Sequence, residues 1–347
     1  MTDSWGSGSV WDDVRGHDAV IDGFRRAVDR GRLSSALLLA GPAGVGKRLF
    51  ADRLARCLLC TRTAPDELEA CGTCQACVSA AADTHPDLHR VRLPEGKREI
   101  PLAAFVGDKE DRGTSGLCYE LSRRPALSER RVAIVEDADL VNSQAANAFL
   151  KTLEEPPAGA VLMLLSDRPE SLLPTIRSRC QTVRFGPLPE ADVAALLLDQ
   201  GLAESPAEAE QVARLSRGSL DAAARLADPE VRGLREVVRK HVGRGGPVAA
   251  AKAVVGAVEA AGSDAPSQRA AAAWVFAFCA DLYRDRLAGL SEEFAEGQTP
   301  QERASADERL ERAAAALDRL SEAEGQIALN TSVPPVLEAL VCDLNRS

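Results

Sequence analysis

The chain has 347 residues, 45% of them apolar, more than a single core normally holds, so two or three folded domains are expected. A net charge of −10 and a pI near 5.1 exclude an autonomous nucleic-acid binder, whose affinity needs a basic surface; any DNA contact has to be local or shared. No stretch approaches the roughly 20 apolar residues that cross a bilayer, and Met1 to Val10 carry neither a basic residue nor an apolar run, so no membrane partner and a cytoplasmic location are expected.

In chain order, the first strong signal is the apolar run Ala36 to Ala40, predicted as a buried strand. It leads directly into Gly41-Pro42-Ala43-Gly44-Val45-Gly46-Lys47, and apolar periodicity then predicts a helix over Lys47 to Leu59. Strand, glycine loop and helix in that order are the setting a phosphate loop requires. The glycines let backbone N–H groups turn toward phosphates, the helix N-terminus adds positive potential, and Lys47 reaches the β and γ phosphates, so ATP is a candidate ligand. Arg48 follows where the motif wants a hydroxyl for Mg2+, and a guanidinium cannot ligate a metal, which argues against metal-assisted hydrolysis. The competing reading is a loop that survives only as a tight turn.

Next comes a cysteine cluster. Of nine cysteines, Cys60, Cys71, Cys74 and Cys77 form C-x10-C-x2-C-x2-C, whose two overlapping C-x-x-C pairs bring three thiolates to one point with a fourth nearby and suit a closed, structural Zn2+ site. Cys57, one helical turn before Cys60, is left over as a buried helix residue, and the alternative for the cluster is a redox pair. His85, beside Pro86, reads as part of a turn rather than a fifth ligand, with Asp87 accepting backbone hydrogen bonds.

Further apolar runs at Leu88 to Leu93, Val132 to Val135, Val161 to Leu165 and Thr182 to Phe185 predict the remaining strands of a parallel, doubly wound α/β sheet. Val135 is followed by Glu136-Asp137-Ala138-Asp139. Asp137 stands where such folds place a longer glutamate to polarise water, falling short by about 1.5 Å, so Glu136 and Asp137 read either as a weak nucleotide site or as a solvated acidic loop. Ser166 ends its strand where a polar sensor sits, or simply caps a turn. The helix predicted over Ser143 to Leu153 stops at Pro156-Pro157, with Ala146, Phe149, Leu150 and Leu153 inward and Lys151, Glu154 and Glu155 outward. The segment Arg98 to Cys118 is polar enough to leave its order open. After Pro189 strand signals end, and alanine- and leucine-rich helices continue, broken at Gly245-Gly246-Pro247, Asp264-Ala265-Pro266 and Gly297 to Pro300, with Trp274, Phe276, Phe278, Leu282 and Tyr283 as core material.

Gly41 to Lys47, the Cys60 to Cys77 module, Thr84-His85-Pro86-Asp87, the run NAFLKTLEEPP over Asn147 to Pro157, and Ser178-Arg179-Cys180 together resemble the bacterial clamp-loader AAA+ subunits, most closely over residues 11 to 230, with Asn330 and Leu337 resembling the family's last helix. The resemblance implies an AAA+ domain with an inserted zinc module over 1–187, a small helical lid over 188–228 and an all-α collar domain over 229–347. It further implies assembly with motor (gamma/tau) and delta subunits into a ring that loads the sliding clamp onto primer-template DNA during replication. Arg48, the Glu136-Asp137 order, and Asp221 after Gly218-Ser219-Leu220, where motor subunits carry a phosphate-sensing arginine, resemble the delta-prime branch of that family rather than its motor branch. In that branch Arg179 is implied to act in trans as an arginine finger on a neighbour's ATP, Lys151 to lie near DNA, and the chain itself to be at best a weak ATPase and not a polymerase. An active motor ATPase and a scaffold that binds no nucleotide are the alternatives.

Overall fold

The five apolar runs form one parallel sheet in the computed structural model, which describes residues 8–64, 67–244, 246–296, 300–329 and 331–346. Asn330 lies outside the described residues, as do Gly245, Gly297 to Thr299 and most of the Met1 to Val10 segment. The elements run α1 (Asp18–Asp29), β1 (Ala36–Ala40), α2 (Lys47–Leu59), α3 (Gln75–Ala81), β2 (Leu88–Val91), α4 (Ala103–Val106), α5 (Leu117–Ser122), β3 (Arg131–Val135), α6 (Ser143–Glu154), β4 (Ala160–Ser166), α7 (Pro174–Arg177) and β5 (Gln181–Arg184). α8 (Glu190–Asp199), α9 (Pro206–Ser216) and α10 (Leu220–Leu226) follow. The strand order is β2-β3-β4-β1-β5 with every pair parallel, so each strand is joined to the next by a crossover connection, and the steps β1 to β2 and β4 to β5 pass over intervening strands.

Every residue of β1, β3 and β4 is buried, because helices cover both faces of the sheet. Alternation along each strand divides the core into two layers. Leu37, Leu39, Val132, Ile134, Val161 and Met163 meet Phe24 of α1 and Phe50 and Leu54 of α2 on one face. Leu38, Ala133, Val135, Leu162 and Leu164 meet Leu121 of α5 and Phe149 and Leu153 of α6 on the other. Phe50 anchors the first layer, with ring centroids of Trp11 at 5.2 Å, Phe24 at 5.2 Å and Phe185 at 5.1 Å.

The polar segment 98–118 is ordered. Ile100 donates its N–H to the Leu140 carbonyl at 2.7 Å and accepts from Asn142 N at 3.1 Å, while Phe105 of α4 is fully buried against Phe149, 5.0 Å between centroids.

The chain divides into two compact units, Met1–Ala223 and Ala224–Ser347. The second is entirely helical among the described residues: α11 (Pro229–His241), α12 (Pro247–Ala260), α13 (Ala265–Glu296), α14 (Pro300–Ala328) and α15 (Val333–Leu344). Its core joins Val254 and Val258 of α12, Val275, Phe276, Cys279 and Tyr283 of α13, Leu320 of α14, and Leu337, Leu340 and Val341 of α15. Phe278 is buried with them and stacks on Trp274 at 5.9 Å, whereas Trp274 and Leu282 are half-buried.

Candidate nucleotide pocket and metal centre

The glycine loop between β1 and α2 has the backbone that a phosphate loop needs. Gly44 has φ +70 and Gly46, the N-cap of α2, has φ +96, both in the left-handed region that favours glycine. A Cβ on Gly44 would stand 2.5 Å from the Ser219 hydroxyl and 2.7 Å from Asp221 N, so the Gly218-Ser219-Leu220-Asp221 turn sits against the loop; Leu220 N donates to the Gly44 carbonyl at 2.8 Å. Val45 is buried, and its carbonyl is 2.7 Å from His17 Nε2.

Lys47 is turned onto the loop itself. Its Nζ donates to the carbonyls of Gly41 at 2.8 Å and Pro42 at 2.6 Å and to Asp167 Oδ1 at 2.6 Å, which uses all three ammonium protons. Gly41 N in turn donates to the Ser166 carbonyl at 3.2 Å, and the buried Ser166 hydroxyl accepts from Arg168 N at 3.2 Å, a turn-capping geometry.

A cavity of about 400 Å³ opens beside the loop, lined by Lys47, Arg48, Glu136, Asp137, Asp167 and Asp221 among others. Glu136, at the end of β3, is buried and paired with Arg48 at 3.3 Å, with Arg92 at 2.9 Å and with Arg90 at 3.6 Å. Arg90 also pairs with Asp52 at 2.7 Å and with Asp83, and Arg92 pairs with Asp83 at 3.1 Å. Asp137 has the strained left-handed φ of +50. Burial pushes its carboxyl above the ordinary range, and the charges of Glu136, Asp139 and Asp167 push it the same way. The cavity is lined by four carboxylates and two cations, and behind it Arg90 and Arg92 offset the charge of Glu136.

The cysteine cluster sits between α2 and α3. The Sγ atoms of Cys60, Cys71, Cys74 and Cys77 all lie within 4.8 Å of one another, with Cys60–Cys74 and Cys71–Cys77 at 3.9 Å. A tetrahedral zinc with Zn–S of about 2.3 Å needs sulfurs about 3.8 Å apart, so the four residues fit the ion. Cys74 N donates to Cys71 Sγ and Cys77 N to Cys74 Sγ, both at 3.4 Å, which fixes the knuckle and favours thiolate charge. Burial opposes ionisation of Cys60, but N–H groups of Cys71, Arg62 and Thr63 and the Thr63 hydroxyl outweigh it and hold that thiol at about 6. Burial and the neighbouring thiols of Cys74 and Cys60 push Cys77 well up. Four thiols this close cannot all ionise together without a cation among them. Cys57 stays apart, its buried thiol donating to the Leu68 carbonyl at 3.3 Å.

His85 and Asp87 brace the adjoining segments, Asp87 N donating to His85 Nδ1 at 3.0 Å. Asp87 is fully buried and accepts from Ala126 N at 2.7 Å, Leu127 N at 2.8 Å and Ser128 N at 2.9 Å.

Arg179, just after α7, is one-third exposed at 33% and pairs with Glu154 of α6, its Nε donating to Oε1 at 2.7 Å; Nη1 donates to the Thr175 carbonyl at 2.9 Å. Lys151, one turn before Glu154, is exposed. Sequence reasoning missed Asp167, Arg90 and Arg92, since each reaches its partner only through the folded sheet.

Sheet order and glycine loop define an α/β protein of the phosphate-loop class. The chain belongs to the DNA polymerase III delta subunit family, whose model matches residues 16–189, half of the chain. It is 40% identical over 214 residues to a DNA polymerase III subunit delta' of Pseudomonas aeruginosa, covering 61% of this chain and 62% of that one. It is 36% identical over 196 residues to the subunit delta' of Escherichia coli, covering 56% of this chain and 55% of that one. A gamma/tau subunit of Mycobacterium tuberculosis is 36% identical over 185 residues, covering 53% of this chain and 30% of that one. The chain therefore matches less than two thirds of the length of these relatives. A solved gamma-subunit-related protein of Thermotoga maritima is 18% identical, covers 94% of this chain and 98% of its own, and superposes with a TM-score of 0.41.

Proposed function

We propose that the chain is a delta-prime-type subunit of a bacterial clamp loader, a cytoplasmic assembly partner of gamma/tau and delta subunits that helps place the sliding clamp on primer-template DNA. The observation that carries this reading, beyond family membership, is Lys47: its three protons are held by Gly41, Pro42 and Asp167, in a cavity where carboxylates outnumber cations. Such a loop serves as a rigid turn that holds ATP at most weakly and without Mg2+, because Arg48, paired with Glu136 at 3.3 Å, stands where a hydroxyl would ligate the metal.

In this reading the subunit acts through Arg179, which reaches a neighbour's ATP and offsets charge developing on the γ-phosphate. Arg179 is exposed enough to be released from Glu154, whose surface pairing is weak. Lys151 touches DNA phosphate, Zn2+ stiffens the Cys60 to Cys77 loop, and the first unit comprises the AAA+ domain and lid while the second forms the collar.

The test is the DNA-dependent ATPase of the reconstituted loader with clamp and primed DNA. Arg179→Ala in this chain is expected to slow turnover while assembly persists, and Lys47→Ala is expected to leave it unchanged. Comparable loss with Lys47→Ala would make the chain a motor, and no loss with either would reduce it to a scaffold.

A further inference from the structure

A second cavity, of about 690 Å³, lies wholly within the helical unit, on a chain whose overall charge is −10. Arg244, Arg286, Arg309 and Arg312 line it, with Asp285 as the one acidic lining residue among the described residues. Arg312 is partly offset by Glu308 at 3.4 Å; among the described residues neither Arg244 nor Arg286 has an ion pair.

Arg286 is the built part of this site. Its guanidinium lies 4.9 Å from the centre of the Tyr283 ring, and on its other side it rests on Gly243, where a Cβ would stand 2.6 Å from Nη1. Gly243, with φ +70, is held by the Asn345 side chain, which accepts from Gly243 N at 2.7 Å and donates to the His241 carbonyl at 2.8 Å. Tyr283 is fixed by donating its hydroxyl to the Leu344 carbonyl at 2.9 Å. Chain ends of α11 and α15 thus hold a half-buried guanidinium in one orientation without supplying an anion for it. An arginine so placed presents a preformed fork for phosphate or carboxylate oxygens.

We propose that this cavity is an anion site for a polyphosphate chain, free or on a nucleotide, gripped by Arg286 at its base and by Arg244 and Arg312 at its rim. Its volume lies within the roughly 300–1,000 Å³ of small-molecule sites, and a cluster of several guanidinium forks suits a ligand with several charged groups in series. Its lining shares no residue with the glycine-loop cavity, which Lys47, Arg48 and four carboxylates line.

Calorimetric titration of the full chain with sodium tripolyphosphate tests this. One equivalent is expected to bind to the wild type and to Lys47→Ala alike, and at least about 10-fold more weakly to Arg286→Gln. The exposed pair Arg244→Gln/Arg312→Gln, which leaves the Tyr283–Gly243 packing in place, is expected to weaken it similarly, so a misfolded Arg286→Gln would not spare the idea. ATP binding as tightly as tripolyphosphate, with the same dependence on Arg286, would identify the source as a nucleotide; tripolyphosphate alone would identify a free polyphosphate. Absence of binding, binding lost only in Lys47→Ala, or tighter binding of polyglutamate than of tripolyphosphate would overturn the proposal.

Discussion

Lys47 and Asp167 stand 120 residues apart in sequence and 2.6 Å apart in the fold. The contact ties the start of α2 to the residue just past β4, so the lysine stiffens the very loop it would otherwise leave free for phosphate. A hydrogen bond to a charged group contributes about 1.5–3 kcal/mol net, and here the donor is 7% exposed. Lys47→Ala is accordingly expected to destabilise the chain by at least about 2 kcal/mol, read as a lower urea midpoint at unchanged slope. A midpoint equal to that of the wild type would mean the three contacts contribute nothing.

The Arg179–Glu154 pair is different in kind. Both partners are partly exposed, at 33% and 46%, and solvent screens such a pair to under about 1 kcal/mol. Glu154→Gln should therefore shift thermal stability little, and should leave Arg179 more available, so the reconstituted loader's ATPase is expected to hold or rise. A Glu154→Gln loader as slow as the Arg179→Ala one would show that Glu154 positions the arginine rather than merely parking it.

How far the sequence carried depends on whether a signal was local. β1 and α2 have the bounds that apolar runs and the glycine loop predict, because a fully buried strand and a loop-opened helix leave little freedom. β2 and β5 were fainter because they are the outer strands, only partly buried, and so need fewer apolar residues. The cysteine cluster was legible from spacing alone, since two short Cys-x-x-Cys steps force three sulfurs together. The order of segment 98–118 was not, for it rests on Ile100 and Phe105, two apolar side chains in a polar stretch. Nor was the state of the nucleotide pocket: Asp167 on Lys47, and Arg90 and Arg92 on Glu136, are long-range pairings that no periodicity encodes.

Metal removal offers a third test. Four converging thiols in a loop that would otherwise hold itself with little core predict one equivalent of zinc per chain and a marked loss of thermal stability on chelation. Cobalt substitution should give the strong sulfur-to-metal absorption of a four-thiolate tetrahedral site, and Cys74→Ser should weaken it. A reduced chain that takes up no zinc and melts identically with and without chelator would refute the assignment.

The last prediction concerns acid. His85 Nδ1 accepts from Asp87 N at 3.0 Å, which leaves the ring proton on Nε2 to meet the Ser128 hydroxyl at 3.1 Å, and Ser128 donates on to the Leu59 carbonyl at 2.7 Å. A second ring proton would point at the Asp87 N–H. Burial accordingly lowers the His85 pKa below 6.5, only partly countered by the Asp87 charge. A histidine lowered in the folded state binds more protons when unfolded, so its contribution is present above 6.5 and is lost as pH falls through the folded value. Asp87 has the same sign lower down: burial opposes its charge, but the N–H groups of Ser128, Ala126 and Leu127 and the Arg131 guanidinium hold it below 3.8, so its contribution fails only in stronger acid. His89, lowered by burial and by Arg131, adds to the first phase. Urea midpoints are therefore expected to fall between about pH 7 and pH 5, with a shallower fall in His85→Gln, where the His89 contribution remains. An equal slope in the two proteins would show that the His85 ring is indifferent to protonation and that the Asp87–Ser128 bridge does not depend on it.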